Sequence, residues 1–221
     1  NGVRYGIGQS SFMSDRSAQK AKELLLPYLD KVLESPILTA SAKDYFITKM
    51  RYNYRFTSPM SYLNPIYFSA TLTEASNLLA LGYLAAGKSW NEKDKVTFKA
   101  PFSQFVKAEV DWRKTWSVGD HSSLVAHAQA GVLKVYGNSD SAPYSEYFYV
   151  GGANNVRAFS ARSIGPGRSH VTDSDLAYLT NVGDMKFVMN LEYRPHLFGS
   201  LYGALFIDAG NVWTFNGDVD A

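Results

Sequence analysis

The chain has 221 residues, with Lys plus Arg at 22 and Asp plus Glu at 20. A net charge of +2 with scattered basic residues excludes the concentrated basic face of a nucleic-acid binder. The absence of cysteine removes disulfides, thiolate catalysis and zinc–thiolate sites. No apolar run approaches the ~20 residues of a transmembrane helix. A membrane barrel stays open, because its strands need only ~9–11 alternating residues each.

The chain begins at Asn1 and is expected to be an internal fragment or a processed product. Residues 1–43 read as a helical and loop segment. Gly6-Ile-Gly8 lacks both a P-loop lysine and the third glycine of a dinucleotide fingerprint, so no nucleotide site is expected there. Residues 17–34 predict a helix that Ser17 can cap, with Pro27 kinking or splitting it and Ser35-Pro36 ending it. Its apolar side carries Leu24, Leu25, Tyr28, Leu29, Val32 and Leu33.

From Asp44 the period changes to two, and strands are expected over about 44–136 and again over about 184–214. In the first strand Phe46, Met50, Tyr52, Tyr54 and Phe56 oppose Lys49, Arg51, Asn53 and Arg55. A turn through Pro65 leads to a second strand, with Ile66, Phe68, Ala70 and Leu72 on one side. Residues 75–100 form a long excursion with a short helix from Leu78 to Ala86 and a charged tip over 91–95. The third strand, Phe102 to Val118, sets Val106, Ala108, Val110, Trp112 and Trp116 against Lys107, Glu109, Asp111, Arg113 and Thr115. A short turn joins it to a fourth, where Leu124, Ala126, Ala128, Ala130 and Val132 oppose His127, Gln129 and Gly131.

A connection rich in Gly, Asn and Ser then runs over about 137–183. In the fifth strand Met185, Phe187, Met189, Leu191 and Tyr193 oppose Lys186, Asn190, Glu192 and Arg194. In the sixth, Leu201, Leu205, Ile207 and Ala209 oppose Tyr202, Phe206, Asp208 and Gly210. Long strands joined alternately by short turns and long loops, apolar on one face and ionised on the other, predict a membrane barrel. The competing arrangement is a soluble antiparallel sheet with one wet face.

Two stretches carry the functional reading. Arg157 lies between Val156 and Phe159 in the long connection, and a buried unpaired arginine is costly. Asp208 shares parity with the polar side of its strand, so both residues meet in a lumen if the connection folds inward. Phe159, Phe206 and Tyr202 are the expected packing around the guanidinium. Spacing alone leaves open an exposed loop arginine and an unrelated carboxylate. The four histidines, His121, His127, His170 and His196, have no ligand spacing, and no metal, cofactor or catalytic residue is expected.

Val156-Arg157-Ala158-Phe159 resembles the Val-Arg-Gly-Phe/Tyr signature of the BamA/TamA-type outer-membrane assembly superfamily, and Phe206-Ile-Asp208-Ala-Gly210 resembles its Phe-x-Asp-x-Gly strand motif. Gly165-Pro166 also fits the family loop. The resemblance is specific over about residues 100–215 and implies an all-β fold: residues 1–221 form part of a sixteen-stranded antiparallel transmembrane β-barrel. It has long extracellular loops, one of them helix-containing, and one loop folded into the lumen. It implies the outer membrane as location and insertion of β-barrel proteins as function, with unfolded outer-membrane proteins, the lipid bilayer, upstream POTRA domains and accessory lipoproteins as partners. A secretion pore for one soluble partner is the alternative inside the superfamily. The barrel anchor of a patatin-type lipase is another; no Gly-x-Ser-x-Gly elbow is present, so catalysis would need another domain. A passive porin would not need the two motifs. Ala158 departs from the family glycine, and its Cβ makes a positive φ unexpected there.

Overall fold

The computed structural model of the chain describes residues 45–59, 61–93, 95–119, 121–168 and 181–215. The glycine pair at 6–8, the helix expected over 17–34 and His170 lie outside the described residues. Six strands form one sheet: β1 (Lys49–Thr57), β2 (Ile66–Ala75), β3 (Phe105–Val118), β4 (Ser122–Val135), β5 (Met185–Arg194) and β6 (Leu205–Trp213). Each pairs antiparallel with the next in chain order, giving an uninterrupted meander. The helix α1 (Asn77–Ala85) follows β2 within one residue of the expected position.

The first and third strands are shorter than their alternating runs suggested, the sixth starts later, and the second and fourth extend beyond theirs. β3 and β4 have 14 residues each, while β1 starts at Lys49 and β6 only at Leu205. The early part of the expected sixth strand is diverted into a small ladder in which His196–Phe198 pairs with Leu201–Tyr202. The Gly203 amide closes it by donating to the Pro195 carbonyl at 3.0 Å. Tyr202 therefore leaves the run of Asp208, contrary to expectation, and its ring packs 4.9 Å from that of His196.

Register sorts the side chains into two faces. Across β3–β6 the row Asp111, Gln129, Val188, Gly210 is followed by the row Arg113, His127, Asn190, Asp208. Both rows lie on what we call the inner face. The outer face carries Tyr52, Tyr54, Leu72, Val110, Phe187, Met189 and Leu191, all exposed, with Leu205 at 69% and Ile207 at 71% exposure. A water-soluble sheet with one wet face would cover its apolar side and expose its polar side. Here large apolar side chains stand exposed along the whole apolar face, whereas protein covers part of the polar face. Lys114, with the parity of the outer face, reaches along the strand to the Asn64 carbonyl at 2.7 Å, as long cations do near an apolar boundary.

The short connections β1–β2, β3–β4 and β5–β6 lie at one rim, and the long ones at the other. The connection between β4 and β5 packs onto the inner face. Its residues Ala142, Phe148, Val150 and Val156 form one buried cluster with Ala75, Phe105, Leu133, Val188 and Val212, one residue from each of β2 to β6. The charged tip over 91–95 is not a free solvated loop. Lys95 is buried, its amide donates to Asn138 Oδ1 at 2.9 Å, and Asn138 Nδ2 donates to the carbonyls of Lys95 and Phe102 at 3.0 Å. Lys93 pairs with Asp140 nearby, so the two long connections are tied together at their rim.

Candidate functional site: the loop arginine and its wall

The β4–β5 connection reaches the inner wall through two contacts. The first is a socket. Gly131 of β4 has no side chain where the wall would otherwise project one; a Cβ there would lie 2.5 Å from Phe148 Cζ. The Phe148 ring fills this space, with Lys107 Nζ 4.6 Å and Lys186 Nζ 5.5 Å from its centroid. Glu146, buried just before it, pairs with both Lys49 and Lys107. Gly210 serves similarly on β6: a Cβ there would come within 3.2 Å of Val150 Cγ1 and 3.0 Å of Val188 Cγ2.

The second contact is the expected one. Arg157 donates from Nε to Asp208 Oδ2 at 2.8 Å and from Nη2 to Asp208 Oδ1 at 2.9 Å, a bidentate pair. Its backbone amide donates to Asp208 Oδ2 as well, at 2.9 Å. Nη1 donates to Glu192, and Arg194 donates to the other oxygen of that carboxylate. The charges alternate along the group: Asp208, Arg157, Glu192, Arg194. Hydrogen bonding to Asp208, opposed by desolvation, holds the Arg157 guanidinium even more firmly protonated than an ordinary arginine. The Asp208 side chain is only 3% exposed and Arg157 is 28% exposed.

Phe206 supplies the expected aromatic surface, with Arg157 Cζ 3.7 Å from its ring centroid. Phe159 and Tyr202 do not pack there. Phe159 is exposed, and its carbonyl instead accepts from the Gly152 amide at 2.9 Å to close the loop tip. Val156 is buried in the apolar cluster, which pins the residue before the arginine. Ala158 adopts φ +73°, the left-handed conformation that its Cβ makes costly. The expectation that an alanine would avoid positive φ therefore fails: burial of Val156 on one side and the Gly152–Phe159 closure on the other fix the turn.

Sequence reasoning placed Asn190 and Glu192 on the polar side of β5 but did not foresee their part in the site. Asn190 sits opposite Asp208 in the ladder, donates to Asp208 Oδ1 at 2.9 Å and to the Asn155 carbonyl at 2.6 Å. Its Oδ1 lies 2.9 Å from His127 Nδ1, and His127 Nε2 lies 3.2 Å from Asp111. Gln129 donates to the other Asp111 oxygen at 2.9 Å. A polar network thus runs from β3 through β4 and β5 to the arginine. The signal that could have found it is the hairpin itself: Asn190 and Asp208, like Glu192 and Phe206, are equidistant from Gly199 in the short turn. The fold also brings the rings of His121 and His196 together in a tilted contact with centroids 5.5 Å apart, a proximity that chain spacing did not suggest.

Between the loop tip and the wall lies an open cavity of about 480 Å³, lined by Arg113, His127, Asn154, Arg157, Glu192 and Arg194 among others. Every carboxylate at the arginine is engaged in an ion pair. The arrangement suits holding a loop in place rather than moving protons.

A family model described as the Omp85 superfamily domain matches residues 86–221. The match takes in β3 to β6, the docked connection and both motifs.

Proposed function

Because the chain belongs to the Omp85 superfamily, whose members are outer-membrane proteins of Gram-negative bacteria acting in protein insertion or translocation, we propose that it is part of an outer-membrane factor that folds and inserts other β-barrel proteins. The observation that carries this reading is the arginine lock. Arg157, on a loop folded over the inner wall, engages Asp208 of β6 and Glu192 of β5 together. In this reading the six strands are the eighth to thirteenth of a sixteen-stranded barrel. The open apolar face then meets lipid and the polar face lines the lumen.

In this reading the lock keeps the barrel in a shape competent for insertion, and the work is done elsewhere in the full protein. An incompletely closed strand edge templates an incoming strand through its unpaired backbone groups, and local thinning of the bilayer lowers the cost of entry. Upstream POTRA domains and accessory lipoproteins deliver unfolded outer-membrane proteins. The chain itself, in this reading, contributes no catalytic residue, metal or cofactor. Depleting the full-length protein should lower the amounts of many barrel proteins in the outer membrane. Loss of a single secreted protein, with other barrels unchanged, would refute insertion and identify a translocator pore.

A further inference from the structure

The part of the inner wall away from the arginine lock has a character of its own. The inner face of β1 presents Lys49, Arg51, Asn53, Arg55 and Thr57, three cations and no carboxylate. Lys49 is taken up by Glu146 of the docked loop. Arg51 and Arg55 are exposed, and no carboxylate among the described residues lies within ion-pair distance of either. Opposite them on β2 stand Thr73 and Ser69, with Thr71 between them. These short hydroxyl side chains leave the guanidinium groups unscreened. Asn53, the one amide between the two arginines, is engaged with Thr71 at 2.6 Å.

On β3 the pattern continues with Arg113, which is exposed, forms no ion pair among the described residues, and lines the cavity beside the loop tip. The same face of β3 also carries Lys107, Glu109 and Asp111, so on this strand two cations stand with two carboxylates. Asp111 is held by His127 and Gln129, and Glu109 stands by Lys107. At the same cavity Glu192 is shared by two arginines. The strip from β1 across β3 therefore keeps an excess of fixed positive charge, and that excess lies on β1 at Arg51 and Arg55.

We propose that the inner wall of β1–β3 lines an anion-selective passage beside the docked loop, taking small inorganic anions such as chloride or phosphate. The proposal rests on the barrel reading above, which makes this face a lumen, and goes beyond it in assigning a permeant class. Rings of Arg and Lys select anions in pores because low-dielectric walls focus their field on the aqueous path. The field reaches about 10 Å at 0.1 M salt and about 3 Å at 1 M, so selectivity should weaken as salt rises.

The test uses the full-length protein in planar bilayers under a KCl gradient, with the reversal potential read as a chloride-to-potassium permeability ratio. The wild type should favour chloride at low salt. The double variant Arg51→Gln, Arg55→Gln should lower the ratio by about twofold or more, while the double Arg→Lys variant retains it. Both variants should still support assembly of other barrel proteins in depleted cells, which separates this proposal from the insertion function. An unchanged ratio in the glutamine variant, or a wild type that passes no current, overturns the proposal.

Discussion

Replacing Arg157 by alanine tests the lock where its energy is concentrated. The substitution removes two hydrogen bonds to Asp208 at 2.8 and 2.9 Å, the bond to Glu192, and the stack on Phe206. It leaves Asp208, 3% exposed, facing Glu192 with no cation between them. Breaking a buried ion pair costs about 3–5 kcal/mol, most of it from the orphaned charge. Two features reduce that figure here. Asp208 keeps the backbone amide of residue 157 and the Asn190 amide as donors, and water already reaches part of the guanidinium. A loss of about 2–4 kcal/mol is expected, including about 0.5–1 kcal/mol for the cation–π contact. Asp208→Ala should cost a similar amount, because Arg157 then keeps only Glu192.

Equilibrium urea unfolding of the full-length protein in detergent micelles, with the two single variants and the double, gives the coupling. It should fall at about 1.5–3 kcal/mol, so the double variant is less damaging than the sum of the singles. Trypsin cleavage after Arg162 gives a second readout, since a released loop is cut faster. Single losses that add to within about 0.5 kcal/mol in the double variant would refute the contact as a source of stability.

Three further outcomes are expected. Ala158→Gly should raise stability by about 0.5–1 kcal/mol, because φ +73° strains alanine and not glycine; a loss in the same urea titration would refute the strain. Gly131→Val should expel Phe148 from its socket at a cost of about 1–3 kcal/mol, and equal protease resistance in the variant would show that the socket is dispensable. Ile207→Lys, on the outer face, should cost about 2–4 kcal/mol in a bilayer; a lysine tolerated there in lipid vesicles would refute the lipid-facing assignment.

Much of this architecture was legible in the sequence because a period of two is unambiguous over long strands. The faces of β3, β4 and β5 follow directly from Val106 to Trp116, Leu124 to Val132 and Met185 to Tyr193. Alternation says nothing of where pairing stops, so the diversion of Leu201 and Tyr202 into a separate ladder was missed. The charge argument and strand parity left the Arg157–Asp208 contact open beside an exposed loop arginine, and the resemblance of the two motifs to the family pair made it readable. Glu192 and Asn190 needed the register as well, which depends on the geometry of the β5–β6 turn. The socket for Phe148 was invisible for another reason. A glycine in a strand signals a close approach, but its neighbour is set by a loop with no periodicity to read.

The double engagement of Arg157 has a mechanical consequence. Glu192 and Asp208 stand on adjacent strands, and a single guanidinium reaches both only while the ladder keeps its present alignment. A slip of one residue between β5 and β6 would turn one carboxylate to the outer face and strand it in the lipid. The arginine thus acts as a gauge of register: it closes on a correctly zipped hairpin and finds no second partner on a misaligned one. Any opening of the wall at this hairpin must first withdraw the loop, so a lateral seam elsewhere in the barrel would part before this one.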